Sequence, residues 1–150
     1  MKKKCKHSWC ANITEGQTYC ALHTFDKPPK IKRVFESNKF YKTGKWVRMS
    51  KILRAEKPIC EVCNNDTTDV VDHWWEIRYP LADDYALDPS NLICCCHSCH
   101  NKKTAELQRR LRNEKPTRET FLWLEINAPR RDTLETIKEI KARIIAQAIS

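Results

Sequence analysis

Apolar residues along the chain fall at helical spacing in some stretches and at strand spacing in others. Over residues 45–56, Trp46, Met49, Ile52 and Leu53 share one face while Lys and Arg fill the other, which predicts a helix that Pro58 closes. Val70-Val71 predicts a short strand, and Asn91-Leu92-Ile93 a second. From His97 to Asn113 the chain is rich in helix formers and stops at Pro116. Two more helices are expected beyond it. Thr117 caps the first, which carries Phe121, Leu122 and Leu124. Asp132 with Glu135 forms a capping-box pattern for the second, which sets Leu134, Ile137, Ile140, Ile144 and Ile145 along one broad face. Short strands among helices predict an α+β fold.

Composition changes this picture at one residue type. The chain has 150 residues, 41% of them hydrophobic, and nine are cysteines. A core of that size benefits from staples. The basic start, Met1-Lys2-Lys3-Lys4-Cys5, is not followed by an apolar run, and no stretch is long enough to span a bilayer, so neither a signal peptide nor a membrane helix is expected. A reducing cytoplasm then assigns the thiols to zinc rather than to disulfides.

The cysteines and histidines divide the chain. Residues 1–26 form an N-terminal zinc knuckle, 27–41 a basic, proline-broken linker, 42–115 a second cysteine-rich domain, and 116–150 a helical extension without either residue type. In the second domain Cys60-x-x-Cys63 and Cys96-x-x-Cys99 are separated by 32 residues. Each two-residue spacer lets a pair grip one ion from a tight turn, and four thiolates complete a tetrahedron. Cys94 and Cys95 adjoin the second pair and offer other registers. Only Cys96 and Cys99 keep the spacing on both sides, which leaves Cys94 and Cys95 as ordinary strand side chains, one inward and one outward. In the N-terminal segment Cys5, Cys10, Cys20 and His23 have finger-like spacing, with His7 as a competitor for His23. Two structural zinc sites are therefore expected.

The formal charge of +9 favours a polyanionic partner, nucleic acid first. Lys102, Lys103, Arg109, Arg110 and Arg112 on the helix after the second zinc pair, and Arg48, Lys51 and Arg54 on the helix before the first, are candidate phosphate contacts. Hydrolysis of a phosphodiester needs an activated water, stabilisation of growing negative charge, and alignment. Asp72-His73 offers a metal-binding carboxylate beside an imidazole base. Asn91 follows His73 by 18 residues, and His100, nine residues later, directly follows zinc ligand Cys99, so zinc would fix its direction.

The stretches Cys60-Glu61-Val62-Cys63, Val71-Asp72-His73-Trp74-Trp75-Glu76-Ile77-Arg78 and Asn91-Leu92-Ile93-Cys94-Cys95-Cys96-His97-Ser98-Cys99-His100-Asn101-Lys102-Lys103-Thr104 closely resemble the HNH endonucleases of phages and prophages, over about residues 42–105. The resemblance implies a ββα-metal fold that cuts DNA to leave a 5′-phosphate and a 3′-hydroxyl. It implies that His73 is the general base, that Asp72 and His100 hold one catalytic divalent metal (Mg²⁺, Mn²⁺, Ni²⁺ or Zn²⁺), and that Asn91 orients His73 or completes the metal shell. A zinc knuckle before the nuclease domain is common in such proteins. Expected partners are DNA and a phage terminase or other packaging protein, in the cytoplasm of a bacterial host, with the chain a monomer or weak dimer. The sequence departs from the family at three places. Tyr79-Pro80-Leu81-Ala82-Asp83-Asp84 replaces a glycine-bearing loop, Trp74 and Trp75 follow His73 where an aliphatic residue is usual, and Thr104 stands where some relatives have another histidine. The rival reading is a non-catalytic zinc-finger DNA-binding protein, or an adaptor within packaging machinery, which explains the cysteines and charge but not the spacing of Asp72, His73, Asn91 and His100.

Overall fold

The computed structural model describes residues 1–7, 9–23 and 37–149. Most of the proposed linker, residues 27–36, lies outside them. Two compact units result, Met1–Phe35 and Glu36–Ser150.

The first unit is a hairpin of β1 (Lys2–Lys4) and β2 (Ile13–Glu15), paired antiparallel with Lys3 opposite Thr14, followed by a single 3₁₀ turn at Ala21–His23. Among its described residues only Cys5, Thr14 and Cys20 are buried, so these form almost no apolar core.

The second unit begins with α1 (Ser37–Phe40) and α2 (Gly44–Glu56). Thr43 caps α2 by accepting from Trp46 N. Trp46 and Leu53 are buried beneath α2 and Met49 partly so, whereas Ile52 points to solvent with 48% exposure. Strands β3 (Val70–His73) and β4 (Leu92–Cys95) pair antiparallel, Asp72 opposite Ile93 and His73 opposite Leu92. Between them lie α3 (Ala82–Tyr85) and a 3₁₀ turn, Pro89–Asn91. The tight turn into α3 uses no glycine: Leu81 itself takes the left-handed conformation at φ 61°, which is uncommon for a residue with a bulky side chain.

Helices α4 (His97–Arg110), α5 (Arg118–Ile126) and α6 (Arg131–Ile149) complete the unit. Thr117 caps α5 through a reciprocal bond with Thr120. The expected Asp132–Glu135 cap is not how α6 starts. The helix already includes Arg131, and Asp132, in its first turn, accepts from Thr133 N and Arg130 Nε. The buried stripe of α6 runs through Thr133, Thr136, Ile137 and Ile140, with Leu134 and Ile144 at its margin and Ile145 exposed.

The two-stranded sheet is covered on both faces. Leu92 and Cys94 pack with Trp46, Leu53 and Val71 on one side. Cys95 packs with Cys60 and Cys96 on the other, while Ile93 joins Trp74, Trp75, Leu107, Phe121, Leu124, Ile137 and Ile140. Cys94 and Cys95 are therefore both buried, at 0% and 2% exposure, and the expectation that one points outward fails because neither face of the sheet meets water. Helices α5 and α6 share one core with the motif-bearing elements, so residues 116–150 are not a separate appendage.

Candidate active site

Four thiols gather where the loop after α2 meets the end of β4. The ligand atoms of Cys60, Cys63, Cys96 and Cys99 lie within 4.8 Å of one another. Two backbone amides donate into the cluster: Cys63 N to Cys60 Sγ at 3.5 Å and Cys99 N to Cys96 Sγ at 3.4 Å. Burial raises the Cys60 thiol, but the backbone bonds from Cys63, Cys96 and Val62 outweigh it and bring the group down to about 7. Glu61, between the first pair, accepts from Cys94 N at 2.8 Å, from Lys57 at 2.9 Å and from Arg130 at 2.7 Å. Arg130 also reaches the carbonyls of Pro89 and Leu92. The cluster thus ties the first cysteine loop, β4 and the entry to α6 together.

In the first unit the ligand atoms of Cys5, Cys10, Cys20 and His23 also lie within 4.8 Å of one another. Cys10 Sγ and Cys20 Sγ are 3.8 Å apart, about the edge of a tetrahedron with 2.3 Å zinc–sulfur bonds. The Asn12 amide donates to Cys20 Sγ and, against the opposing effect of burial, holds that thiol down at about 6 together with His23. His7 stacks on the ring of His23 at 3.9 Å and is not part of the cluster.

The remaining sequence candidates fall on the two sides of β3. Alternation along the strand sends His73 toward α2 and Asp72 toward α4. Cys96 is the N-cap of α4, so the cysteine cluster sits where that helix begins, and His100 lies in its first turn. His100 Nε2 stands 3.8 Å from Asp72 Oδ1. Both line a cleft of about 400 Å³ whose other walls include Tyr41, Trp46, Ser50 and Arg54. They also border a smaller cavity of about 200 Å³ lined by Trp74, Ile93, Lys102 and Trp123.

His73 is 1% exposed, in a box formed by Phe40, Tyr41 and Trp46, with the Trp46 ring stacked at 4.9 Å. Its Nε2 lies 2.9 Å from the Ala86 carbonyl, which can only accept, so Nε2 carries the proton and Nδ1 offers a lone pair. That lone pair accepts from the Tyr41 hydroxyl at 3.3 Å. Burial pushes His73 below the usual histidine range, with the Ala86 bond acting in the opposite direction. His73 therefore does not open onto the cleft directly; Tyr41 stands between them.

Asn91 does not join Asp72 and His100. It is fully buried, and its Oδ1 accepts from Trp75 N at 2.6 Å while its Nδ2 donates to the carbonyls of Trp75 and Tyr85. All three of its side-chain hydrogen bonds hold the loop after β3, the loop that delivers the Ala86 carbonyl to His73. Of the two expected roles, orienting His73 or completing a metal shell, this placement favours the first: Asn91 bonds the backbone next to Ala86, away from Asp72 and His100.

Lys103 likewise leaves the predicted solvent face. It follows His100 by three residues, on the same side of α4, and is 5% exposed with Nζ 2.6 Å from Asp72 Oδ2 and 2.5 Å from the His73 carbonyl. Arg109 and Arg110 are both paired with Glu106, and Arg110 also lies over the Trp123 ring. Lys102, Arg48 and Lys51 are exposed as expected. Sequence reasoning left out Tyr41 and Glu76, whose positions depend on long-range packing, whereas the expected phosphate contact Arg54 lies on the cleft wall.

No family profile matches the chain. A probable HNH endonuclease of Lactococcus phage SK1 is 36% identical over a 75-residue alignment that covers 47% of this chain and 80% of that protein. Among solved structures, the HNH endonuclease of the deep-sea thermophilic bacteriophage GVE2, crystallised with a manganese ion, is 30% identical and covers 51% of this chain and 86% of its own, with a TM-score of 0.45. The span of the Lactococcus phage relative, at that identity, places this chain in the HNH endonuclease family.

Proposed function

We propose that the protein is a metal-dependent DNA endonuclease, encoded by a phage or prophage, in which Asp72 and His100 bind a divalent cation and His73 is the general base. The observation that carries this reading is the pairing of an oxygen and a nitrogen donor, 3.8 Å apart on a cleft, with a buried imidazole on the adjoining residue. Asp72 and His100 would hold the ion through one oxygen and one nitrogen, and the open cleft would leave positions for water and phosphate. When bound, the cation supplies positive charge to the scissile phosphate and the departing 3′-oxygen.

The chain's own residues do the rest. Ala86 holds the His73 tautomer in which Nδ1 is unprotonated, and burial keeps the ring neutral. A water that takes the place of the Tyr41 hydroxyl at Nδ1 gives its proton to that nitrogen and attacks phosphorus. Asn91 keeps the Ala86 carbonyl in place. Arg54, Arg48, Lys51 and Lys102 offer phosphate contacts without base reading. The two thiolate clusters each hold one structural zinc. A role in packaging, homing or restriction, with a terminase or related phage protein as partner, goes with the family.

Plasmid cleavage tests this. His73→Ala should abolish metal-dependent cutting while DNA binding persists, and cutting by that variant at the wild-type rate would remove His73 from the mechanism. Tyr41→Phe should leave cutting within about threefold of wild type, because the hydroxyl only holds a place that water takes. A hundredfold loss would instead make that hydroxyl a proton carrier.

A further inference from the structure

We infer that Lys103 is a resident counter-charge in the Asp72–His100 pair, one that keeps the pair's hold on a divalent cation weak until a phosphate anion joins it. The inference rests on the metal reading above and adds a regulator to it.

The geometry divides the Asp72 carboxylate between two partners. Oδ2 accepts from Lys103 Nζ at 2.6 Å, and Oδ1 faces His100 Nε2 at 3.8 Å. A cation at the pair is thus offered one oxygen of Asp72 rather than two. Lys103 is also fixed from other sides: it donates to the His73 carbonyl at 2.5 Å and lies 3.6 Å from Glu76 Oε1. Glu76 is in turn paired with Arg78 at 2.9 Å. Two carboxylates and two cations therefore meet here, and their formal charges cancel. A divalent ion entering beside Asp72 meets a nearby ammonium that is shielded from water and cannot swing away, because only 5% of Lys103 is exposed. Repulsion between charges at such spacing is strong where water is excluded. A phosphodiester brings the negative charge that the pair lacks, so cation and substrate are captured together. A lysine used only for structure would hold the same contacts but would not set the affinity for metal through its charge.

The test is a Mn²⁺ titration of the zinc-loaded full chain without DNA, with free Mn²⁺ counted by electron paramagnetic resonance. Lys103→Gln keeps a donor and removes the charge; it should tighten Mn²⁺ binding by about tenfold or more. Lys103→Arg keeps the charge and should stay within about threefold of wild type. Unchanged or weaker binding by Lys103→Gln, with Asp72→Asn losing the site, overturns the inference and leaves the metal reading standing. Binding that survives in Asp72→Asn overturns both. Zinc content and near-ultraviolet dichroism check that the variants fold. The wild-type protein gives a second measurement that needs no variant: inorganic phosphate should tighten its Mn²⁺ binding by about tenfold, and no tightening overturns the inference.

Discussion

The two cysteine clusters differ in what surrounds them. Cys5, Cys10, Cys20 and His23 come from one short segment, and among the described residues there only Thr14 is buried besides two of the ligands. Cys60, Cys63, Cys96 and Cys99 come from two distant turns and are backed by the sheet, by Val70 and by the Glu61–Arg130 tie. Metal held in the first unit would substitute for a core. In the second it would fasten a core that already exists and, through Cys96 at the start of α4, would aim His100. On the proposed function, the same chemistry is a fold in one place and an alignment device in the other.

Removing the metal is the strongest way to break that contrast. A chelator should cost residues 1–23 all ordered structure while most of the second unit keeps its helices; amide dispersion in NMR spectra reads both at once. Retained dispersion in the first unit would mean that its hairpin folds unaided. The next largest effect is expected from Cys60→Ser. Losing one ligand should shift the start of α4 and reduce cutting by about a hundredfold or more, alongside a clear fall in melting temperature. Wild-type cutting by this variant would deny the alignment role.

Asn91→Ala probes what holds the second unit apart from metal. Three buried backbone groups lose their partner, and stability should fall by ~3 kcal/mol in chemical denaturation with zinc content unchanged. A loss of zinc together with stability would merge the two systems. Cys20→Ser should do least to catalysis. Cutting of a plasmid should stay within about threefold of wild type, since no proposed catalytic residue lies in the first unit; a larger loss would give that unit a part in holding DNA.

Local signals made much of this legible. The two CxxC spacings, the Thr117 cap, the helix from His97 and the strand at Val70 follow from neighbouring residues. What escaped depends on contacts between distant segments. Nothing near Lys103 marks it as buried; its position follows from α4 crossing β3, which turns the residue three after His100 toward Asp72. Nothing near Asn91 says that its amide serves Trp75 and Tyr85. Cys94 and Cys95 misled because alternation tells buried from exposed only where one face of a sheet meets water, and here both faces are covered. Tyr41 reaches His73 across 32 residues, through the packing of α2 that the apolar pattern foretold but whose partners it did not name.

The shared core of α5, α6 and the motif-bearing strands has a consequence for the order of synthesis. Cys60 to Lys103 leave the ribosome before Phe121, Leu124, Ile137 and Ile140, the residues that cover Trp74, Trp75 and Ile93. Arg130, which secures the first cysteine loop, also arrives late. A nascent chain can therefore hold every proposed ligand and still lack the support that fixes them. The scissors are assembled with the blade first and the rivet last, so that full cutting power waits for α6.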